Sequence, residues 1–208
     1  MDITEVILNQ HDQQRRAFAA LQEFPREDTE GLSALWSQLR IFLERHAEAE
    51  ELYFYPELVK IATGAGDAED GDDEVEDAIK DHNELRDAIA AAEKAKVGSD
   101  DWWTAVTNAD VINSDHMAEE ERQDLADFRQ QASLELRHTI AVAFLKHLAA
   151  AWCEPIGKRH PDPNEFIAKA EKAPKSAAAK AAEKLAENPE AADLGGTPPP
   201  SHTGDVEP

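Results

Sequence analysis

The chain has 208 residues, enough for one domain of standard size with a real core, and its 41% hydrophobic content argues that it folds. Its 44 Asp and Glu against 21 Lys and Arg leave a formal charge of −23. A charge of that sign repels phosphate backbones and anionic bilayers, which excludes nucleic acid and membrane surfaces as partners.

Taken in chain order, residues 2–22 form the first predicted helix, with Ile3, Val6, Ile7, Gln10, Gln14, Phe18 and Leu21 near one stripe and His11 inside it. Pro25 marks the break. The second helix begins near Asp28-Thr29-Glu30, where an Asp or Thr caps exposed amides. It carries Leu32, Leu35, Trp36, Leu39, Phe42, Leu43, His46 and Glu50, and Pro56 is expected to kink or end it. After a loop holding Gly64, Gly66 and Gly71, a third helix opens near Asp72-Asp73, runs through Val75, Ile79, His82, Leu85 and Ile89, and stops at Val97-Gly98. Ser99 or Asp100 caps a fourth, which places Trp102, Trp103, Val106, Ala109, Ile112, His116 and Glu120 at helical spacing.

A helical extension over residues 122–154 follows, with Leu125, Phe128, Leu134, Leu136, Ile140, Val142, Phe144, Leu145, Leu148 and Trp152. It is too apolar to hang free and is expected to lie across the bundle or form a dimer contact. A short helix is expected near 164–173. From Pro174 the composition shifts to Ala, Lys and Glu and then to Pro, Gly and Thr, which offers little burial to offset chain entropy. The expected organisation is a bundle over 1–130, an extension over 131–173 and a disordered tail over 174–208, transiently helical at 176–187.

Residues four apart on a helix share a face, so His46 with Glu50 and His116 with Glu120 each offer an imidazole and a carboxylate to one interior. His11 and His82 come singly. The four histidines are spaced by 35, 36 and 34 residues (11 to 46, 46 to 82, 82 to 116), about the length of a helix and its turn. Antiparallel packing would bring them to one level. A lone histidine on an apolar face is more often packed than ligating, and His-to-Glu pairs are common in acidic helices. The conjunction of four evenly spaced histidines with carboxylates on the second and fourth helices only is what sets this chain apart, since such motifs build dinuclear metal sites in bundle cores. His138 and His147, nine apart, lack ligand spacing and read as structural or surface residues, and Cys153 as packing.

His11-Asp12, the run His46 to Glu51 followed by Tyr53-Phe54-Tyr55-Pro56, the run Asp81 to Leu85, and the run His116 to Glu121 together resemble the hemerythrin-like family, in its HHE cation-binding branch. The resemblance covers about residues 1–130. It implies an all-α, up-down four-helix bundle and two non-haem iron ions with an oxo or hydroxo bridge. By that analogy His11 and His46 bind one iron, His82 and His116 the other, and Glu50 and Glu120 bridge both. The chain departs from the oxygen carriers of that family, which place a second histidine four residues after the third-helix one. Here that position is Arg86, whose guanidinium stays protonated and cannot ligate. Glu120 is the favoured fourth-helix carboxylate, with Glu121 as its possible substitute. Tyr53, one turn beyond Glu50, either reaches the site or packs at the helix end; Asp81, Glu84 and Asp115 are solvated or orient imidazoles.

Five donors per iron leave an open position for oxygen, peroxide or nitric oxide. The function that the resemblance implies is binding or turnover of these small molecules in oxidative or nitrosative stress defence, with catalase-like peroxide decomposition as one form. Its rivals are an oxygen- or iron-sensing module without rapid turnover, a ferroxidase-like iron handler, and a metal-free helical scaffold. Monomer and homodimer both stand open. One cysteine precludes an internal disulfide, and the N-terminus lacks signal-peptide character, so a cytoplasmic location is expected.

Overall fold

Each bundle helix with a visible cap begins where a short polar side chain satisfies its exposed amides. Asp2 accepts from the Thr4 amide, Asp28 from that of Gly31 and Ser99 from that of Trp102. The computed structural model describes residues 1–66 and 71–151, and among them the chain is helical without strands. The elements are α1 (Ile3–Glu23), α2 (Thr29–Ala49), a π-helical turn (Glu50–Phe54), α3 (Tyr55–Ile61), α4 (Gly71–Lys94), α5 (Asp100–Arg122), α6 (Asp124–Gln131) and α7 (Leu134–Ala151). The tight turn from α4 to α5 uses Gly98 at φ +79°, a conformation that side chains other than glycine rarely adopt.

Two apolar clusters fill the interior. One holds Phe18 and Leu21 of α1, Leu32 to Leu43 of α2, Leu85 to Ala92 of α4 and Trp102 to Ala109 of α5. The other holds Ile3 and Ile7 of α1, Ala49 and Phe54 from the end of α2 and the π turn, Ala78 of α4, and Leu125, Phe128, Ile140 and Phe144 of the C-terminal helices. Helices α1 and α4 therefore run from the second cluster to the first, and α2 and α5 run the opposite way. The result is an up-down-up-down bundle. Between the clusters each of the four helices contributes polar residues to one buried belt, which is the level at which the histidines fall.

The predicted continuous helix over 122–154 is interrupted, which corrects that expectation. α5 stops at Arg122, and the backbone turns extended at Ala132. Ser133 Oγ then accepts from the Leu136 amide at 3.2 Å and starts α7 afresh. This capping serine sits inside an apolar-rich stretch, where hydrophobic periodicity hides it. The interruption lets α7 fold back against α1, α2 and the π turn, burying Ile140, Ala141 and Phe144. Leu134, expected to pack, is 63% exposed. Trp152, Cys153, the expected helix at 164–173 and the expected tail from 174 lie outside the described residues. Among the described residues no helix is long and apolar enough to cross a membrane.

Candidate metal centre

The belt gathers six ionisable side chains, each less than 5% exposed: His11, His46, Glu50, His82, His116 and Glu120. His11 and His46 bring their Nε2 atoms to 3.1 Å, and His82 and His116 bring theirs to 3.2 Å. Glu50 lies between the pairs, with Oε1 2.9 Å from His46 Nε2 and Oε2 3.4 Å from His82 Nε2. Glu120 Oε2 is 3.2 Å from His11 Nε2. Donor atoms of His11, His46 and Glu50 all lie within 4.8 Å of one another, as do those of Glu50, His82 and His116. Glu50 thus belongs to both groups.

The outward nitrogens explain why these Nε2 atoms face inward. His11 Nδ1 is 2.9 Å from Glu121 Oε1, His46 Nδ1 is 2.7 Å from Gln10 Oε1 and His82 Nδ1 is 3.0 Å from Glu51 Oε1. His116 Nδ1 faces Asp81 Oδ2 at 3.5 Å. All four partners are acceptors, so a hydrogen on Nδ1 is held there, and wherever the ring is neutral its Nε2 lone pair is turned to the interior. Those lone pairs confront each other and the carboxylate oxygens. Apart from the imidazole nitrogens, no described residue offers a hydrogen to either oxygen of Glu50 or to Oε2 of Glu120.

A buried ring of acceptors needs positive charge at its centre, because desolvating two carboxylates costs several kcal/mol each unless they are compensated. Cations fit this donor set, and the protein alone answers with protons. Burial works against a charged His11, but Glu120 and Glu121 hydrogen bonds and the charge of Glu50 lift it to about 9. Burial opposes His82 too, yet Glu50 and Glu51 lift it to about 9. Burial prevails at His46, which is lowered despite Glu50. Burial would raise Glu50, but His46 and His82 hold it well below the usual carboxylate range.

The tyrosine at the centre is Tyr55; Tyr53, which the sequence left between reaching the site and packing, packs. In a regular helix the residue three or four after Glu50 lies beneath it. Here the Tyr55 amide bonds to the Glu50 carbonyl, a five-residue π closure, and this brings Tyr55 one turn below Glu50. The Tyr55 hydroxyl donates to Glu120 Oε1 at 3.3 Å and lies 3.4 Å from His82 Nε2. Burial, with the charges of Glu120 and Glu50, raises this hydroxyl well above its ordinary value, so it keeps its proton. Tyr53 instead packs its ring on His147, whose Nε2 reaches Glu48 at 3.1 Å. Pro56 stands in the first turn of α3, where its missing N–H is harmless.

Glu121 points away from the interior: it holds His11 Nδ1 and takes a 2.7 Å hydrogen bond from Arg15. Arg86 does the equivalent on the other side, donating at 2.7 Å to Glu51. Both glutamates are pulled below the usual range, by the histidine first and the arginine next. Glu84, Asp115 and His138 are exposed.

Four of these anchors share a signal that sequence reasoning missed. Gln10, His11 and Arg15 recur in register as Asp81, His82 and Arg86, and His46, Glu50 and Glu51 recur as His116, Glu120 and Glu121. The site is therefore an internal twofold in which each glutamate facing inward is followed by one that anchors the opposite imidazole. Reading the two halves against each other would have singled out Arg15, Glu51, Arg86 and the anchoring role of Glu121.

A model of the Hemerythrin HHE cation binding domain family matches residues 2–128, the span that carries the whole belt. Among solved structures, the chain is similar to a hemerythrin HHE cation binding domain-containing protein from Mycobacterium kansasii. The TM-score is 0.60 at 18% sequence identity, covering 73% of this chain and 90% of that one, a likeness of fold. A search of curated proteins gives no match.

Proposed function

Since the chain belongs to the hemerythrin HHE cation-binding family, we propose that His11, His46, Glu50, His82, His116 and Glu120 hold two non-haem iron ions. In this reading His11 and His46 take one ion, His82 and His116 the other, and Glu50 and Glu120 span both, with a solvent-derived bridge. The observation that carries it is the convergence of four imidazole Nε2 atoms and two buried carboxylates, with Glu50 common to both imidazole pairs. Imidazole and carboxylate donors suit iron, manganese or zinc, and the family resemblance favours iron.

Bound there, an iron pair would supply the redox chemistry toward oxygen, peroxide or nitric oxide that no side chain in the belt can perform. The chain's own contribution is positioning. The Nδ1 anchors fix each imidazole plane and raise its basicity, and Tyr55 holds a proton on the Glu120 and His82 side. Apolar clusters flank the belt above and below, and its six side chains are each less than 5% exposed. Arg86, engaged with Glu51, leaves α4 one imidazole short of the reversible carriers, which favours turnover of peroxide or oxygen in stress defence over simple carriage.

Metal analysis with an absorption spectrum of the aerobic protein tests the reading. The expected result is about two irons per chain with near-ultraviolet and visible absorption, and peroxide consumption that depends on the iron. Colourless protein carrying zinc or no stoichiometric metal overturns it.

A further inference from the structure

Between the belt and the first apolar cluster, the two halves of the internal twofold differ. Gln14, one turn past His11 on α1, and Asn113, one turn before His116 on α5, stand where the other half has Leu85 and Leu43. All four are buried, and the two leucines show that this level of the bundle packs without polar groups. The amide pair is nevertheless held in one orientation. Asn113 Nδ2 lies 3.6 Å from Met117 Sδ, which accepts but cannot donate, and it donates at 2.9 Å to Gln14 Oε1. Gln14 Nε2 is thereby the end left over. Gln14 is 0% exposed, and no described residue accepts from this nitrogen. A buried donor without an acceptor destabilises the fold, so packing alone gives no reason to keep one where leucine fits. Helical side chains lean toward the N-terminus of their own helix, which for α1 is the direction of His11, so the unmatched amide is carried back toward the belt.

We propose that Gln14 Nε2 is the hydrogen-bond donor for a small anionic ligand of the centre, of the size of azide or hydroperoxide, lodged on the α1 and α5 side of the belt, with Asn113 as the residue that positions it. The proposal rests on the metal-centre reading above and adds the contact that selects its ligand. Tyr55 belongs to the second apolar cluster, so it stands across the belt from Gln14, and its hydroxyl already donates to Glu120. Gln14 is the neutral donor still unspent. A hydrogen bond to an anion is stronger than one to a neutral acceptor, so this amide favours anionic ligands over neutral diatomic ones.

The test is a titration of the iron-loaded full-length chain with azide, followed by its absorption change, with iron counted in the same samples. Gln14→Met keeps the length of the side chain and deletes its donor. It should retain the iron of the wild type and bind azide roughly tenfold or more weakly, the loss expected for a hydrogen bond to a charged ligand. Asn113→Leu, which frees the Gln14 amide to turn, should weaken azide by a smaller factor at unchanged iron content. Leu85→Met, at the twofold-equivalent position, should leave the affinity unaltered. The double variant Gln14→Leu with Asn113→Leu copies the other half of the bundle, and its metal-free form should melt no lower than the wild type, because both amides leave together. Wild-type azide affinity in Gln14→Met and Asn113→Leu overturns the proposal. So does an equal loss in Leu85→Met, which marks a packing effect, or a double variant that melts well below the wild type, which assigns the amides to the fold. A wild type that holds two irons and shows no azide change brings down this inference alone, whereas one that takes up no iron brings down the metal centre with it.

Discussion

On the α1 and α2 side of the belt, His11 is anchored by Glu121 and Arg15, His46 by the neutral amide of Gln10, and phenylalanine rings close the space behind His46. On the α4 and α5 side, His82 is anchored by Glu51 and Arg86, His116 faces the carboxylate of Asp81, and the Tyr55 hydroxyl and an acid-lined cavity lie behind. The inward donors are the same on both sides. What differs is everything around them, and the divergence begins one residue past each glutamate pair. After Glu50-Glu51 the helix continues through a π turn that brings in Tyr55; after Glu120-Glu121 it breaks at Gln123, and the residue in the equivalent position is the buried Leu125. On the proposed reading, two metal positions built this way would share their inward ligands and differ in access, proton supply and charge.

The comparison breaks most completely at Glu50, which serves both sides. Glu50→Ala should drop metal content from about two ions per chain to below one, because the two positions lose their common carboxylate, whereas His46→Ala and His116→Ala should each remove about one ion. Elemental analysis distinguishes these outcomes, and two ions retained in both histidine variants would sink the ligand assignment. Next in size, Glu51→Gln and Glu121→Gln should each weaken one ion by about 10- to 100-fold while leaving the other tight, as expected for partners that orient a ligating imidazole. Competition with a chelator reads this as a split into one strong and one weak ion.

The pH dependence of the metal-free protein follows from the protons that stand in for cations. His11 and His82 have folded values of about 9 against an ordinary 6.5, so their contribution to stability is complete below 6.5 and lost as the pH climbs through about 9. Metal-free protein should therefore melt at lower temperature at pH 9 than at pH 6.5. Loading should release protons and grow tighter over the same range, which a pH-stat titration measures. A smaller effect is expected from Tyr55→Phe, which should leave two ions in place and alter the spectrum of added nitric oxide or azide, since the hydroxyl meets His82 and Glu120. Smallest is Arg15→Ala. Arg15 is 43% exposed, and losing its pair with Glu121 should change stability by no more than about 1 kcal/mol in a thermal or urea melt.

The belt was legible in the sequence because two periods coincide there. A 3.6-residue helical repeat puts His46 with Glu50 and His116 with Glu120 on one face, and an interval near 35 residues returns each helix to the same height. Helix starts were legible for a local reason too, since Asp28 and Ser99 each accept from the amide three residues on. Tyr55 was not legible, because a π turn shifts the face by one residue and costs the pattern nothing. Nor was the break before α7, where a single serine changes the course of an otherwise helical and apolar stretch.

Sequence by itself therefore determined the four bundle helices, their order and the six side chains that turn inward, all of which follow from spacing along a chain of known rise per residue. Only the tertiary structure decided which group holds each outer imidazole nitrogen, which tyrosine meets the centre and which side of the belt opens onto acid. Those are contacts between residues from 27 to 110 positions apart, set by how neighbouring helices rotate and where they break, and no local pattern encodes them.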